Sequence, residues 1–178
     1  MGDLTLVKRW YHQEVAFEYF LRNRGSSYLA VDEAKRPVAV DKNFDFLVLT
    51  KSKVYAIDVK GKQIPYKGGS SFLWETWIHP KDLTGLRQWE DMLKPLFRCD
   101  VESLIVYVYW IREAAFLKDF KSVFEHRGNK YGMKAITISE FEKYKEIRSG
   151  FSIEREEWQL PRKRAKYLLR DIYFFLTA

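Results

Sequence analysis

The stretch from Asn43 to Lys62 reads Asn-Phe-Asp-Phe-Leu-Val-Leu-Thr-Lys-Ser-Lys-Val-Tyr-Ala-Ile-Asp-Val-Lys-Gly-Lys. Two apolar, β-branched and aromatic runs, Phe44 to Leu49 and Val54 to Val59, flank a polar connection from Thr50 to Lys53, which is the pattern of a β-hairpin. With Lys51 and Ser52 as the turn, Thr50 pairs with Lys53 and Leu49 with Val54, and the register carried inward sets Asp45 opposite Asp58. Alternation puts Asp58 and Lys60 on one face, and cross-strand pairing puts Asp45 there as well. Strands apolar on both faces imply burial on both sides. Two carboxylates whose Cβ atoms lie about 5 Å apart repel, and must share a proton or a cation. Lys60 supplies part of the charge, and a divalent ion supplies more, together with a demand for oxygen ligands. The competing reading makes Asp45 a turn residue and Asp58 with Lys60 a surface pair; the depletion of Asp in strands and the apolar flanks argue against it.

The rest of the chain sets bounds on this hairpin. A length of 178 residues suits one domain with a substantial core, and 47% hydrophobic with 17% aromatic residues excludes a disordered chain. There are 31 Lys and Arg against 24 Asp and Glu, a formal net charge of +7, which favours a polyanionic partner without identifying it. The lone cysteine, Cys99, rules out an intrachain disulfide and a thiolate zinc cluster, and suits a reducing, cytoplasmic setting. Neither an apolar leader nor a run approaching about 18 apolar residues is present, so neither a secretion signal nor a membrane span is expected. Glycine-rich phosphate loops, Gly-x-Ser-x-Gly, paired histidines at i,i+4 and internal repeats are also missing from the sequence.

Upstream of the hairpin, Asp3 caps a helix expected from Leu4 to Arg24 and stopped by Gly25. At about 100° per residue, Leu6, Val7, Trp10, Tyr11, Phe17 and Leu21 share an arc with Glu14 at its middle. An inward carboxylate needs a cation, a metal-bound water or a donor; a core Tyr or Arg would serve equally. His12 lies off the arc and reads as a surface or packing residue. Short strands are expected at Tyr28 to Val31 and Val38 to Val40.

Downstream, Pro80 opens a helix over Lys81 to Phe97, with Leu83, Leu86, Trp89 or Glu90, Leu93 and Phe97 on one face. Val101 to Ile111 is a near-continuous apolar run, a central strand beside the hairpin. A strand at Lys134 to Ile138 leads into a helix capped by Ser139, with Glu142 completing a capping box. Trp74 and Trp77 read as packing residues. A last helix from Pro161 presents Lys163, Lys166 and Arg170 along one side, either a phosphate-tracking stripe, to which Lys62 in the loop after the hairpin would add, or a solvated face.

Asp45 with Asp58-Val59-Lys60 resembles the signature of the PD-(D/E)XK nuclease superfamily, the restriction-endonuclease-like fold of Holliday-junction resolvases and many DNA-processing nucleases. His12-Gln13-Glu14-Val15-Ala16-Phe17-Glu18 resembles the motif of the HYExAFE group, with Gln13 departing at the Tyr; Glu75-Thr76-Trp77-Ile78, Asp82, Gly85-Leu86, Trp89 and Tyr109-Trp110 extend the similarity as far as Trp110. The resemblance implies a three-layer α/β fold with a mixed sheet between helices, and metal-dependent hydrolysis of phosphodiester bonds, in DNA ahead of RNA. Asp45 and Asp58 would hold Mg²⁺ or Mn²⁺ with the Val59 carbonyl, Lys60 would serve the attacking water, and Glu14 would hold a metal-bound water or a second ion. A catalytically silent nucleic-acid-binding or assembly subunit is the alternative. Homodimerisation is left open.

Overall fold

The computed structural model describes residues 11–31, 42–65, 74–147 and 156–177. Helix α1 (Tyr11–Asn23) precedes strands β1 (Ser27–Ala30), β2 (Phe46–Leu49) and β3 (Lys53–Ile64). Helix α2 (Pro80–Leu93) crosses to β4 (Asp100–Ile111), followed by β5 (Val123–His126), β6 (Asn129–Thr137) and α3 (Ile138–Tyr144). Short elements close the chain: β7 (Glu146–Ile147), β8 (Trp158–Gln159), α4 (Arg162–Leu168), β9 (Arg170–Asp171) and α5 (Ile172–Leu176). The expected strand at Val38 to Val40 and the start of the first helix lie outside the described residues.

The main sheet runs β1-β2-β3-β4-β6-β5, with β9 added to β6. All its pairings are antiparallel except β3 with β4, which α2 joins as a crossover. The hairpin has the expected register, Leu49 opposite Val54 and Phe46 opposite Ile57. Thr50 closes the turn by donating its N–H to Lys53 O at 2.9 Å. Strand β4 lies beside β3, as its apolar run implies, with Lys60 level with Tyr107 and Lys62 with Tyr109.

Both faces of the sheet are covered, because β3 and β4 are apolar on both. On one face Val54, Ala56, Ile105 and Tyr107 pack under Leu83, Leu86 and Leu93 of α2, Phe141 of α3 and Ala165 of α4. On the other, Tyr55, Ile57, Val59 and Val106 meet Ala16, Phe17, Phe20 and Leu21 of α1 and Ile172 and Phe175 of α5.

The pairing departs from the expected pattern at Asp45. Its N–H donates to Ile57 O at 2.8 Å, the residue that Phe46 already faces. Phe44 consequently belongs to the α2 side of the sheet and Phe46 to the α1 side, whereas residues two apart in a regular strand share a face. This is a β-bulge, one extra residue that re-aims the chain, and the simple opposition of Asp45 to Asp58 does not survive it.

Three other expectations are corrected, and one strand that the sequence did not mark is present along the chain between β4 and β6. The hydroxyl of Thr137, and not Ser139, caps α3 by accepting from Glu140 N–H at 3.1 Å. The connection after β4 contains β5, turned into β6 by Arg127 and Gly128, both at positive φ. The C-terminal helix is not continuous: α4 stops at Leu168, and Arg170 lies in β9, so Lys163, Lys166 and Arg170 form no single stripe. The inward residues of α1 are Gln13, Ala16, Phe17, Phe20 and Leu21, an arc turned by roughly 70° from the expected one, with Glu14 half-buried on its flank.

The seat of α2 on β4 is polar as well as apolar. Glu90 Oε2 accepts from Ser103 N–H at 2.9 Å, and Ser103 Oγ donates to Leu86 O at 2.9 Å. Glu90→Ala leaves a buried N–H without its acceptor, and is expected to lower unfolding stability by about 2 kcal/mol in urea titrations, with Glu90→Gln costing less.

Candidate active site

Asp58 points to the α2 face from the middle of β3, and its side chain is 1% exposed. A carboxylate buried to that degree must be neutralised or compensated. Here it is compensated twice: Lys42 Nζ donates to Oδ1 at 2.9 Å, and Lys60 Nζ lies 2.7 Å from Oδ2 as an ion-pair contact. Both ammonium groups also hold Asp82, Lys42 at 2.9 Å from Oδ1 and Lys60 at 3.0 Å from Oδ2. The four side chains close a ring in which carboxylate and ammonium alternate.

Asp82 stands in the first turn of α2, where Pro80 starts the helix and a carboxylate is favoured by the unpaired N–H groups of the helix end. Its Oδ2 accepts from the backbone N–H of His79 at 3.0 Å. Burial opposes its ionisation, but Lys60 and Lys42 outweigh that and hold its pKa down to about 2. Lys42 shows the mirror effect: burial works against its charge, and Asp58 with Asp82 more than offsets this, so its pKa is raised above the ordinary lysine value.

Lys42 is fixed to α2 through its main chain. Trp89 Nε1 donates to Lys42 O at 3.0 Å, and a Cβ on Gly85 would come within 2.8 Å of that same oxygen, so only glycine admits the approach. The wall of the site is built from β4. Tyr107, level with Lys60, donates its hydroxyl to Thr76 O at 2.7 Å, and Tyr109 donates to Glu75 O at 3.0 Å. These bonds hold the segment that feeds the start of α2. Burial first, then Tyr109, Asp58 and Asp82, push the Tyr107 hydroxyl well above its ordinary pKa, so it acts as a neutral donor.

The sequence-derived residues are distributed as follows. Asp58 and Lys60 are together in the ring, while Asp45 Oδ2 accepts from Val59 N–H at 2.5 Å, one residue along. The carboxylate of Asp58 is instead faced by two cations. Glu14 belongs to a helix packed on the opposite face of β3. A polar residue of that helix, Gln13, also touches β3: its Nε2 donates to Lys62 O at 3.4 Å, and its side chain fills the space a Cβ on Gly61 would take. Lys62 is not a surface cation: it is 3% exposed, with Nζ 3.4 Å from the centre of the Trp77 ring and donating to Trp77 O at 3.3 Å. Arg170 donates to Glu140 at 2.9 Å, whereas Lys163 and Lys166 are exposed. His12 packs edge-on to Trp110 and pairs Nδ1 with the Tyr131 hydroxyl at 2.9 Å.

Lys42 and Asp82 were missed as site residues. Asp82 carried a signal in Pro80-x-Asp82 and in the spacing Asp82, Gly85, Trp89, which falls on one helical face. Lys42 carried none.

The donor chemistry fits a hard divalent cation. The oxygens of Asp58 and Asp82 converge in pairs on two cation positions, each held at 2.7–3.0 Å by an ammonium group. Among the described residues no cluster of three or more His, Cys, Asp or Glu side chains forms, so an ion there would draw on these two carboxylates and backbone oxygens.

Asp58→Asn is expected to destabilise the protein in EDTA by about 3 kcal/mol in denaturant titrations, since it leaves two partly buried ammonium groups to share the single carboxylate of Asp82. Asp45→Asn, which keeps an oxygen acceptor for Val59 N–H, is expected to cost under about 1 kcal/mol. The depressed pKa of Asp82 gives stability that is fully present above the ordinary carboxylate value near 4 and is lost as pH falls toward 2. Asp82→Asn should therefore flatten the stability profile between about pH 4 and 2; an unaltered slope would remove Asp82 from the ring.

The sequence matches no protein-family model and no curated protein. Among solved structures, the fold is similar to that of Archaeoglobus fulgidus Hjc, a Holliday junction resolvase from an archaeal hyperthermophile, with a TM-score of 0.53 and 10% sequence identity over 93% of this chain and 98% of that one. At that identity the likeness is one of fold: a restriction-endonuclease-like α/β architecture, with a mixed central sheet between helices.

Proposed function

We propose that the chain is a divalent-metal-dependent nuclease that hydrolyses phosphodiester bonds in nucleic acid, DNA ahead of RNA. The observation that carries this reading is the Asp58–Asp82 pair, clasping the ammonium groups of Lys42 and Lys60 on a sheet of the fold found in a Holliday junction resolvase. Asp58 and Asp82 would hold Mg²⁺ or Mn²⁺, with the Val59 carbonyl as the further oxygen donor the signature suggests, while Asp45 holds the Val59 N–H beside them. The bound ion would supply Lewis acidity toward a phosphoryl oxygen and a water of lowered pKa.

Lys60 has two tasks in this reading. Fixed on the central strand between Asp58 and Asp82, it orients the attacking water and offsets negative charge growing on the phosphate. Tyr107 and the buried aromatic wall exclude bulk water behind it, which strengthens each charge interaction. Glu14, on a helix packed against the face of β3 away from Asp58 and Asp82, is given no role in this reading.

One observation favours a second reading, a silent nucleic-acid-binding module. Every carboxylate oxygen of Asp58 and Asp82 already faces an ammonium group, so the ring is formally neutral and closed. Incubation with Mn²⁺ and single-stranded, duplex, flap and four-way-junction DNA decides between them. Cleavage lost by about a hundredfold or more in Asp58→Asn and Lys60→Met, with binding in Ca²⁺ retained, is the expected result. Binding without cutting by the wild type would establish the silent module.

The net charge of +7 also makes a testable demand. Affinity for duplex DNA should fall steeply with salt, and Lys163→Gln with Lys166→Gln should reduce the slope by up to about two counterions. Arg170→Gln, whose charge is engaged by Glu140, should leave the slope unchanged.

A further inference from the structure

We propose that Lys42 is a resident counter-cation of the Asp58–Asp82 pair, held in place by α2, and that it is the group a divalent ion displaces to enter the site. The proposal rests on the metal-dependent reading above and adds the residue that regulates it.

Three residues of α2 point at Lys42 from one helical face. Asp82 receives its ammonium group at 2.9 Å, Gly85 lets its backbone approach, and Trp89 donates an indole N–H to its carbonyl at 3.0 Å. The spacing 82, 85, 89 is i, i+3, i+7, so one turn-by-turn stripe holds the head, the main chain and the carbonyl of a single lysine. Trp89 is itself fixed edge-on against Phe44 at 5.0 Å. Such a cradle is more than an exposed lysine needs for solubility.

The two ammonium groups of the ring are not equivalent. Lys60 stands on the central strand β3 with its side chain 16% exposed; the side chain of Lys42 is 34% exposed, with its main chain anchored outside the sheet. Lys42 can therefore leave Asp58 Oδ1 by rotating its own side chain, while Asp82 keeps hold of it. Lys60 cannot leave without exposing Asp58 on the strand interior. A divalent ion entering beside both ammonium groups meets their repulsion, and displacing Lys42 relieves the larger avoidable part. Lys42 thus keeps the carboxylates paired in the metal-free protein and raises the metal concentration needed to open the site.

The test is Mn²⁺ binding by isothermal titration calorimetry, checked by the electron paramagnetic resonance signal of free Mn²⁺, at fixed ionic strength and without nucleic acid. Lys42→Gln is expected to bind Mn²⁺ about tenfold more tightly than the wild type, and Lys42→Arg, which keeps the cation, to stay within about twofold of it. Trp89→Phe, which removes the donor to Lys42 O and keeps an aromatic ring against Phe44, is expected to give a several-fold gain and serves as the deciding arm should Lys42→Gln fail to fold. Equal or weaker affinity in Lys42→Gln overturns the role of Lys42 while leaving the metal site standing. No Mn²⁺ binding by any of these proteins overturns both the inference and the metal-dependent reading.

Discussion

Two carboxylates buried side by side cannot persist without cations, and the architecture around Asp58 and Asp82 follows from that constraint. Ion pairs at this depth gain little net stability over apolar packing, but losing one partner is costly, so each member constrains the others. Lys60 comes from the same strand as Asp58, Asp82 from the helix that crosses to β4, and Lys42 from the segment leading to the bulge at Asp45. The hydroxyls of Tyr107 and Tyr109 and the carboxylate of Glu90 fix the crossover on which Asp82 rides. The ring therefore ties together three parts of the chain that the hydrophobic core alone would allow to slide.

Much of this was legible in residues 43–62. The two-residue turn and the register that follows it came from where apolar runs met polar residues, because a register slip would turn every side chain of β3 to the wrong face. That Asp58 and Lys60 share a face was legible for the same reason: alternation along a buried strand is strict. The apolar run over residues 101–111 and Pro80 at a helix start were equally direct signals.

What escaped the sequence is instructive in its causes. A bulge adds one residue without any mark in composition, so the pairing of Asp45 with Asp58 looked secure. Glu14 was placed at the centre of α1 because the apolar residues before Tyr11 weighted the arc; the buried face instead selects Gln13, whose amide fits against Gly61. The break after α4 comes from tertiary pairing, with β9 joined to β6 and Asp171 starting a new helix by accepting from Tyr173 N–H at 3.1 Å. Lys42 has meaning only once α2 is folded over it, and no local pattern encodes that contact.

In the proposed reading the ring is a neutral site that must open before it acts, with Lys60 fixed and Lys42 exchangeable. A crystal structure grown in Mn²⁺ with anomalous diffraction at the manganese edge tests this most directly. The account predicts a manganese peak within coordination distance of both Asp58 and Asp82, with Lys42 Nζ withdrawn from Asp58 Oδ1 and Lys60 still in place. A manganese peak remote from both carboxylates, or an Asp58–Lys42 contact intact beside a fully occupied ion, would contradict it.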